Sequence, residues 1–219
     1  MNIVLYPNQG DEVAKENSQI AVCTLAELLD VLPKDVKDKF HIKVDNHTKL
    51  SKNLGWYEHS AFLPERKQIA ADNMLFDFIH DPLKEQDHHV GLVILNKDMT
   101  ARDKSSDGKY IDFLFGLATS GAAIISFYRF NSGIKNKKDR RSCIRRAVLH
   151  EFFHTVGLIP YWRKSNIDNR LGLHCKNVCV MRQGMNVSEW KNHALEEDKK
   201  KIILCPQCVD NLLEVLSHK

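Results

Sequence analysis

Two histidines stand four residues apart with a glutamate between them, in the run His150-Glu151-Phe152-Phe153-His154. On a helix that spacing puts both imidazoles on one face, where they can share a metal ion. Glu151 lies beside the pair, within reach of a water on that metal. Zinc lowers the pKa of such a water towards about 7, so Glu151 can take its proton and later pass it to a leaving amine. This is the chemistry of peptide-bond hydrolysis without a covalent intermediate. A zinc site of this kind needs a third protein ligand and an open fourth position.

Six cysteines are present, and four of them fall in the last 45 residues as Cys175, Cys179, Cys205 and Cys208. Two cysteine pairs in a reducing compartment read as a closed four-thiolate structural zinc site. Cys23 and Cys143 stand alone and read as small buried hydrophobes.

The histidine pair needs a helix, and residues 137–157 supply one. Ile144, Ala147, Val148, Phe152 and Val156 form an apolar stripe, and Gly157 stands where a helix C-cap expects glycine. The Lys- and Arg-rich stretch 135–146 reads as a solvated face. Upstream, residues 1–6 read as a strand stopped by a turn at 7–10, and 11–32 as a helix. The alternation at 40–44 reads as a strand and the polar stretch 47–60 as a loop. A second helix is expected over 68–80, a strand over 90–95 and a charged loop over 98–109. Two more strands are expected over 111–117 and 122–130, with His88 and His89 at the surface. Beyond Gly157 the texture is irregular to about 188, and a terminal helical region over 189–216 breaks near Cys205-Pro206. Interleaved strands and helices imply an α+β (α/β-like) fold in which helices cover a sheet. The chain is expected to form a single domain, 1–219, with subdomains 1–157 and 158–219.

His150-Glu151, His154 and Gly157, followed by His174-Cys175, Cys179-Val180-Met181 and Cys205-Pro206-Gln207-Cys208, resemble the archaemetzincins, a branch of the metzincin zinc peptidases. Residues 113–118 and 123–126 are similar to that family's strands before the active-site helix, and Arg66-Lys67-Gln68 is a weaker echo. The resemblance implies a twisted mixed sheet with two long helices and a small zinc-bound C-terminal subdomain. It also implies two zinc ions: a catalytic one on His150, His154 and His174 with Glu151 as general base, and a structural one on the four cysteines. Met181 would be the methionine of the turn beneath the catalytic metal. An extended peptide or protein substrate would pair with an edge strand near 113–118. Pro160 occupies the family's usual position for the third histidine, and sixteen residues separate Gly157 from His174. Asp168 and Glu189 therefore rival His174 as third ligand, and 159–172 reads as a loop inserted over the cleft. An alternative is a catalytically silent, zinc-stabilised binding protein whose cleft that insertion covers.

A net charge of +4 is too small to argue for nucleic acid, and Glu189, Glu196, Glu197 and Asp198 oppose a basic zinc-ribbon face at the C-terminus. No basic, apolar leader and no run of about 20 apolar residues is visible, so a cytoplasmic chain without membrane or nucleic-acid partners is expected.

Overall fold

Three segments carry near-continuous apolar runs, and they form the centre of a five-stranded sheet in the order β2-β1-β5-β8-β7. The computed structural model describes residues 2–7, 12–32, 41–44, 50–83, 89–102 and 109–217. The strands of this sheet are β1 (Asn2–Pro7), β2 (His41–Val44), β5 (Val90–Leu95), β7 (Gly116–Thr119) and β8 (Ala122–Ser126). β2, β1, β5 and β8 run parallel, while β7 returns antiparallel to β8 and forms the edge. Every residue of β5 and β8 is buried, as expected for central strands covered on both faces.

Alternate residues of these strands feed two cores. Ile3, Leu5, Leu92, Ile94, Ala123 and Ile125 face α1 (Glu12–Val31) and the long helix α5 (Lys137–Thr155). Val4, Tyr6, Val93, Leu95, Ala122 and Ile124 face the opposite layer, which includes α2 (Leu54–Ser60) and α3 (Ala71–Ile79). The period-2 pleat of each strand thus makes a three-layer sandwich. A smaller sheet, β3 (Phe62–Leu63), β4 (Gln68–Ala70) and β6 (Met99–Thr100), flanks the second layer. A short helix α4 (Tyr128–Gly133) precedes α5. Beyond α5 come a two-stranded ribbon of β9 (Ile167–Asp168) and β10 (His174–Cys175), then α6 (Val187–Lys200) and α7 (Pro206–Ser217).

The α+β class and both long helices match the expectation, and several local readings are corrected. The strand expected over 111–117 begins only at Gly116 and runs to Thr119, and Met99–Thr100 within the expected loop is strand β6. Within 47–60, residues 54–60 are helical because Asn53 caps them, accepting from the Trp56 amide. The first three residues expected in the second helix are strand β4, recruited by pairing to β3 and β6. The strand expected over 122–130 ends at Ser126, whose hydroxyl bonds the Lys97 carbonyl, and α4 follows. His89 is buried, with Nε2 2.6 Å from the Tyr6 hydroxyl, not at the surface. Cys143 is fully buried and its thiol is pushed up to about 12 by burial, whereas Cys23 is only half-buried. The turn at 8–10, residues 47–49, most of the charged loop (103–108) and His88 lie outside the described residues. Among the described residues no helix is long and apolar enough to cross a membrane.

Candidate metal centres

The helix that presents the histidine pair is fixed at both ends. Asn136 caps α5 by accepting from the Asp139 amide. At the other end Gly157 takes φ +77°, its N–H bonds the His154 carbonyl, and Leu158 N–H bonds the Phe153 carbonyl. This pair of bonds is a Schellman C-cap, and it turns the chain away directly after His154.

His150 and His154 leave the same face of α5 with their Nε2 atoms 3.2 Å apart, and His174 on β10 brings its Nε2 to 3.2 Å from that of His154. The backbone orients two of the rings. His150 Nδ1 donates to the Val180 carbonyl at 2.7 Å and His174 Nδ1 to the Gly172 carbonyl at 3.0 Å. A proton held on Nδ1 leaves Nε2 as a bare lone pair aimed at the shared centre, the arrangement found around metal-binding imidazoles. Lone pairs this close repel unless a cation lies between them. Tetrahedral zinc at about 2.0–2.1 Å from each nitrogen would hold them about 3.3–3.4 Å apart, so the donor set fits that ion. Burial drives the basicity of His150 far down, helped by His154 and His174. Burial and His174 bring His154 to about 3, and burial also lowers His174. All three rings are therefore neutral near pH 7, as ligation requires.

Glu151 is 5% exposed, and burial raises its carboxyl to about 8, with Arg146 pulling the other way. Its side chain lies directly against Gly116 of the edge strand: a Cβ placed there would sit 2.3 Å from the carboxyl carbon. Glu151 and the three histidines line a cleft of roughly 790 Å³. One wall is 113–118 on the edge-strand side. The other is built from Leu171, Gly172, Met185 and Trp190, among others. The start of the first wall is held by a polar network. Arg66 donates to the Ile111 carbonyl, Gln68 to the Asp112 carbonyl at 2.7 Å, and Arg129 grips Asp98 while lying 3.8 Å over the Phe113 ring.

The rivals for the third position are engaged elsewhere. Asp168 is bonded by the Arg170 guanidinium at 2.6 Å, which holds its carboxyl down at about 2. Glu189 closes the N-terminus of α6, accepting from the Met185 amide and the Asn186 side chain. Met181 is fully buried, and its carbonyl accepts from the Cys175 amide at 2.9 Å. Of the 159–172 segment only Asn169, Leu171 and Gly172 line the cleft. Tyr161 and Trp162 stand exposed and take no part in it.

The four clustered cysteines converge as well. Cys175 and Cys205 have sulfurs 3.8 Å apart and Cys179 and Cys208 3.7 Å apart, and all four sulfurs lie within 4.8 Å of one another. A disulfide would need about 2.05 Å. A tetrahedral zinc thiolate site at about 2.3 Å per bond gives sulfur separations near 3.8 Å, so this set also fits the metal.

Three supporting residues escaped the sequence reading. Arg146, read as part of a solvated face, is 3% exposed. It sits one helical turn before His150, pairs with Glu197 at 3.1 Å and lies 4.2 Å over Trp190. Its place on the stripe 146-150-154 was the available signal. Trp190 braces the His150 ring edge-on at 5.2 Å and anchors itself to the Gly184 carbonyl. Gly116 carries no chemistry of its own, and only its neighbour reveals its role.

No protein-family model and no curated protein matches the chain. Solved structures do. The chain is similar to archaemetzincin from Archaeoglobus fulgidus, solved with malonate, at TM-score 0.60 and 20% identity over 96% of this chain and 99% of that one. It is also similar to archaemetzincin from Methanopyrus kandleri, at TM-score 0.63 and 16% identity over 99% of this chain and 94% of that one. The chain has the archaemetzincin fold.

Proposed function

We propose that the protein is a zinc-dependent peptidase acting on peptides or proteins in the cytoplasm. One observation carries this reading: three neutral imidazoles converge at tetrahedral spacing beside a buried carboxylate, at the base of an open cleft. His150, His154 and His174 would hold the catalytic zinc, and Cys175, Cys179, Cys205 and Cys208 a second, structural one. Bound zinc supplies a Lewis acid that polarises the scissile carbonyl and acidifies a water. Glu151 takes a proton from the attacking water and delivers it to the leaving amine. The edge of β7 offers backbone groups for an extended substrate, while Met181 packs in the turn that carries the Val180 carbonyl. The chain acts as one catalytic domain, with 1–157 and 158–219 as the two sides of the cleft.

The catalytically silent alternative needs the 159–172 segment to cover the site. The cleft reaches Glu151 and all three histidines with only 169–172 at its wall, which favours the enzyme.

Zinc per chain by elemental analysis, with hydrolysis of an unfolded protein as substrate, tests the proposal. Wild type should hold about two zinc ions, Glu151→Gln about two with hydrolysis cut to a small residual rate, and His174→Ala about one. A wild-type chain that binds zinc only through its cysteines would overturn the peptidase reading.

A further inference from the structure

Arg163 belongs to the 159–172 segment, yet it is 6% exposed. Its Nη1 lies 3.2 Å from the sulfur of Cys208 and its Nη2 3.1 Å from that of Cys175. One guanidinium thus spans a sulfur from each of the two cysteine pairs. Its other bonds run to the Gln207 side chain at 2.9 Å and to the carbonyls of Ser165 and Asn166. No carboxylate lies within ion-pair distance of Arg163 among the described residues. A buried guanidinium needs a counter-charge, and here the facing groups are the sulfurs. Four thiolates around a dication carry net charge −2, and one guanidinium offsets half of it through charge-assisted bonds.

We infer that Arg163 is the cationic outer partner of the four-cysteine site, and that it ties the 159–172 segment to the metal held there. The inference rests on the reading of those cysteines as a metal site. The tether matters because the segment runs on into Leu171 and Gly172 of the cleft wall and into His174. Metal in the cysteine site would then hold one wall of the cleft through Arg163, in addition to holding the chain at Cys175.

Zinc release to a chromogenic chelator tests the tether without any peptidase assay. The full chain carries His150→Ala and His154→Ala, so the only zinc retained is cysteine-bound. Outer partners of metal ligands are worth about 10–100-fold in affinity. Adding Arg163→Gln should therefore speed zinc release at least about tenfold and open residues 164–172 to limited proteolysis. Arg163→Lys keeps the charge but cannot span two sulfurs, and should also release faster than the parent chain. Should Arg163→Gln fail to fold, the lysine variant decides alone. Release from the lysine variant at the parent rate overturns the bridging role, and release from both variants at that rate overturns the inference. If the parent chain binds no zinc, the cysteine-site reading itself falls and takes the tether with it.

Discussion

Gly116→Ala places one methyl group where the Glu151 side chain now lies. The new Cβ would stand 2.3 Å from the Glu151 carboxyl carbon and from Oε1, and 2.5 Å from Cγ. Ordinary contact begins near 3.4 Å, so the carboxyl must move by about 1 Å or the edge strand must retreat. The cleft that Glu151 lines gives the carboxyl room to move into, so the overpacking cost should lie at the low end of about 1–3 kcal/mol. The larger effect falls on the chemistry. A 1 Å misplacement of a reacting group costs about 10²-fold in rate, or about 2.7 kcal/mol of barrier. We expect kcat to fall about 100-fold while zinc content stays at the wild-type value, since the three atoms nearest the new methyl all belong to Glu151. A double-mutant cycle separates this from damage to the substrate-pairing edge. In a Glu151→Gln background, already without the proposed proton acceptor, Gly116→Ala should add little further loss. Equal losses in both backgrounds, or a Gly116→Ala enzyme within about threefold of wild type, would refute the claim that Gly116 sets the position of Glu151.

Three further outcomes follow from the geometry. Asp168→Ala should keep full zinc by elemental analysis, because its carboxylate is bonded to Arg170 and does not belong to the cluster of three imidazoles. Arg146→Met strips the partner from Glu197, whose own side chain is 7% exposed. It should cost about 3–5 kcal/mol and lower Tm by about 6–20 °C, and adding Glu197→Leu should restore most of it. In the metal-free protein, burial raises Glu151 from 4.5 to about 8, so the fold favours its protonated form. The stability this group contributes is complete below pH 4.5 and is lost as pH rises towards 8. At about 1.4 kcal/mol per pH unit, metal-free Glu151→Gln should exceed wild type by up to about 5 kcal/mol near pH 8 in urea unfolding, with little difference at pH 4.

Residues whose placement is set by their own helix were legible in the sequence. His150, Glu151 and His154 need only the 3.6-residue period of α5, and Gly157 only the geometry of a helix end. The four cysteines declare themselves by clustering. Residues whose role depends on a distant neighbour were not legible. Arg146 resembles its exposed basic neighbours until α6 brings Glu197 and Trp190 over it. The helix at 54–60 hangs on one capping side chain within a polar stretch, and strand β4 exists only because β3 and β6 pair with it. Gly116 has no side chain to read at all.

The placement of His174 shows how the two centres depend on each other. Sixteen residues separate it from Gly157, too many for the helix end to fix its position. The next residue, Cys175, is what fixes it. Its amide bonds the Met181 carbonyl, and its sulfur sits among the other three in the buried cluster. Successive residues of a strand point to opposite faces, so holding Cys175 on one side of β10 presents the His174 ring on the other. The ribbon partner Asp168, opposite His174, is itself held by Arg170 and adds stiffness on that side. Metal in the cysteine site would thus act as the positioning device for the third imidazole, in place of a short tether to the helix. A chain whose cysteine site is emptied should accordingly lose zinc affinity at the imidazoles too, although none of the three histidines is altered. Mutation of Cys208, the thiolate farthest along the sequence from His174, is the cleanest way to see it: Cys208→Ser should weaken both sites, measured as zinc bound per chain across a chelator titration. Unchanged affinity at the imidazoles would show that the ribbon holds His174 unaided.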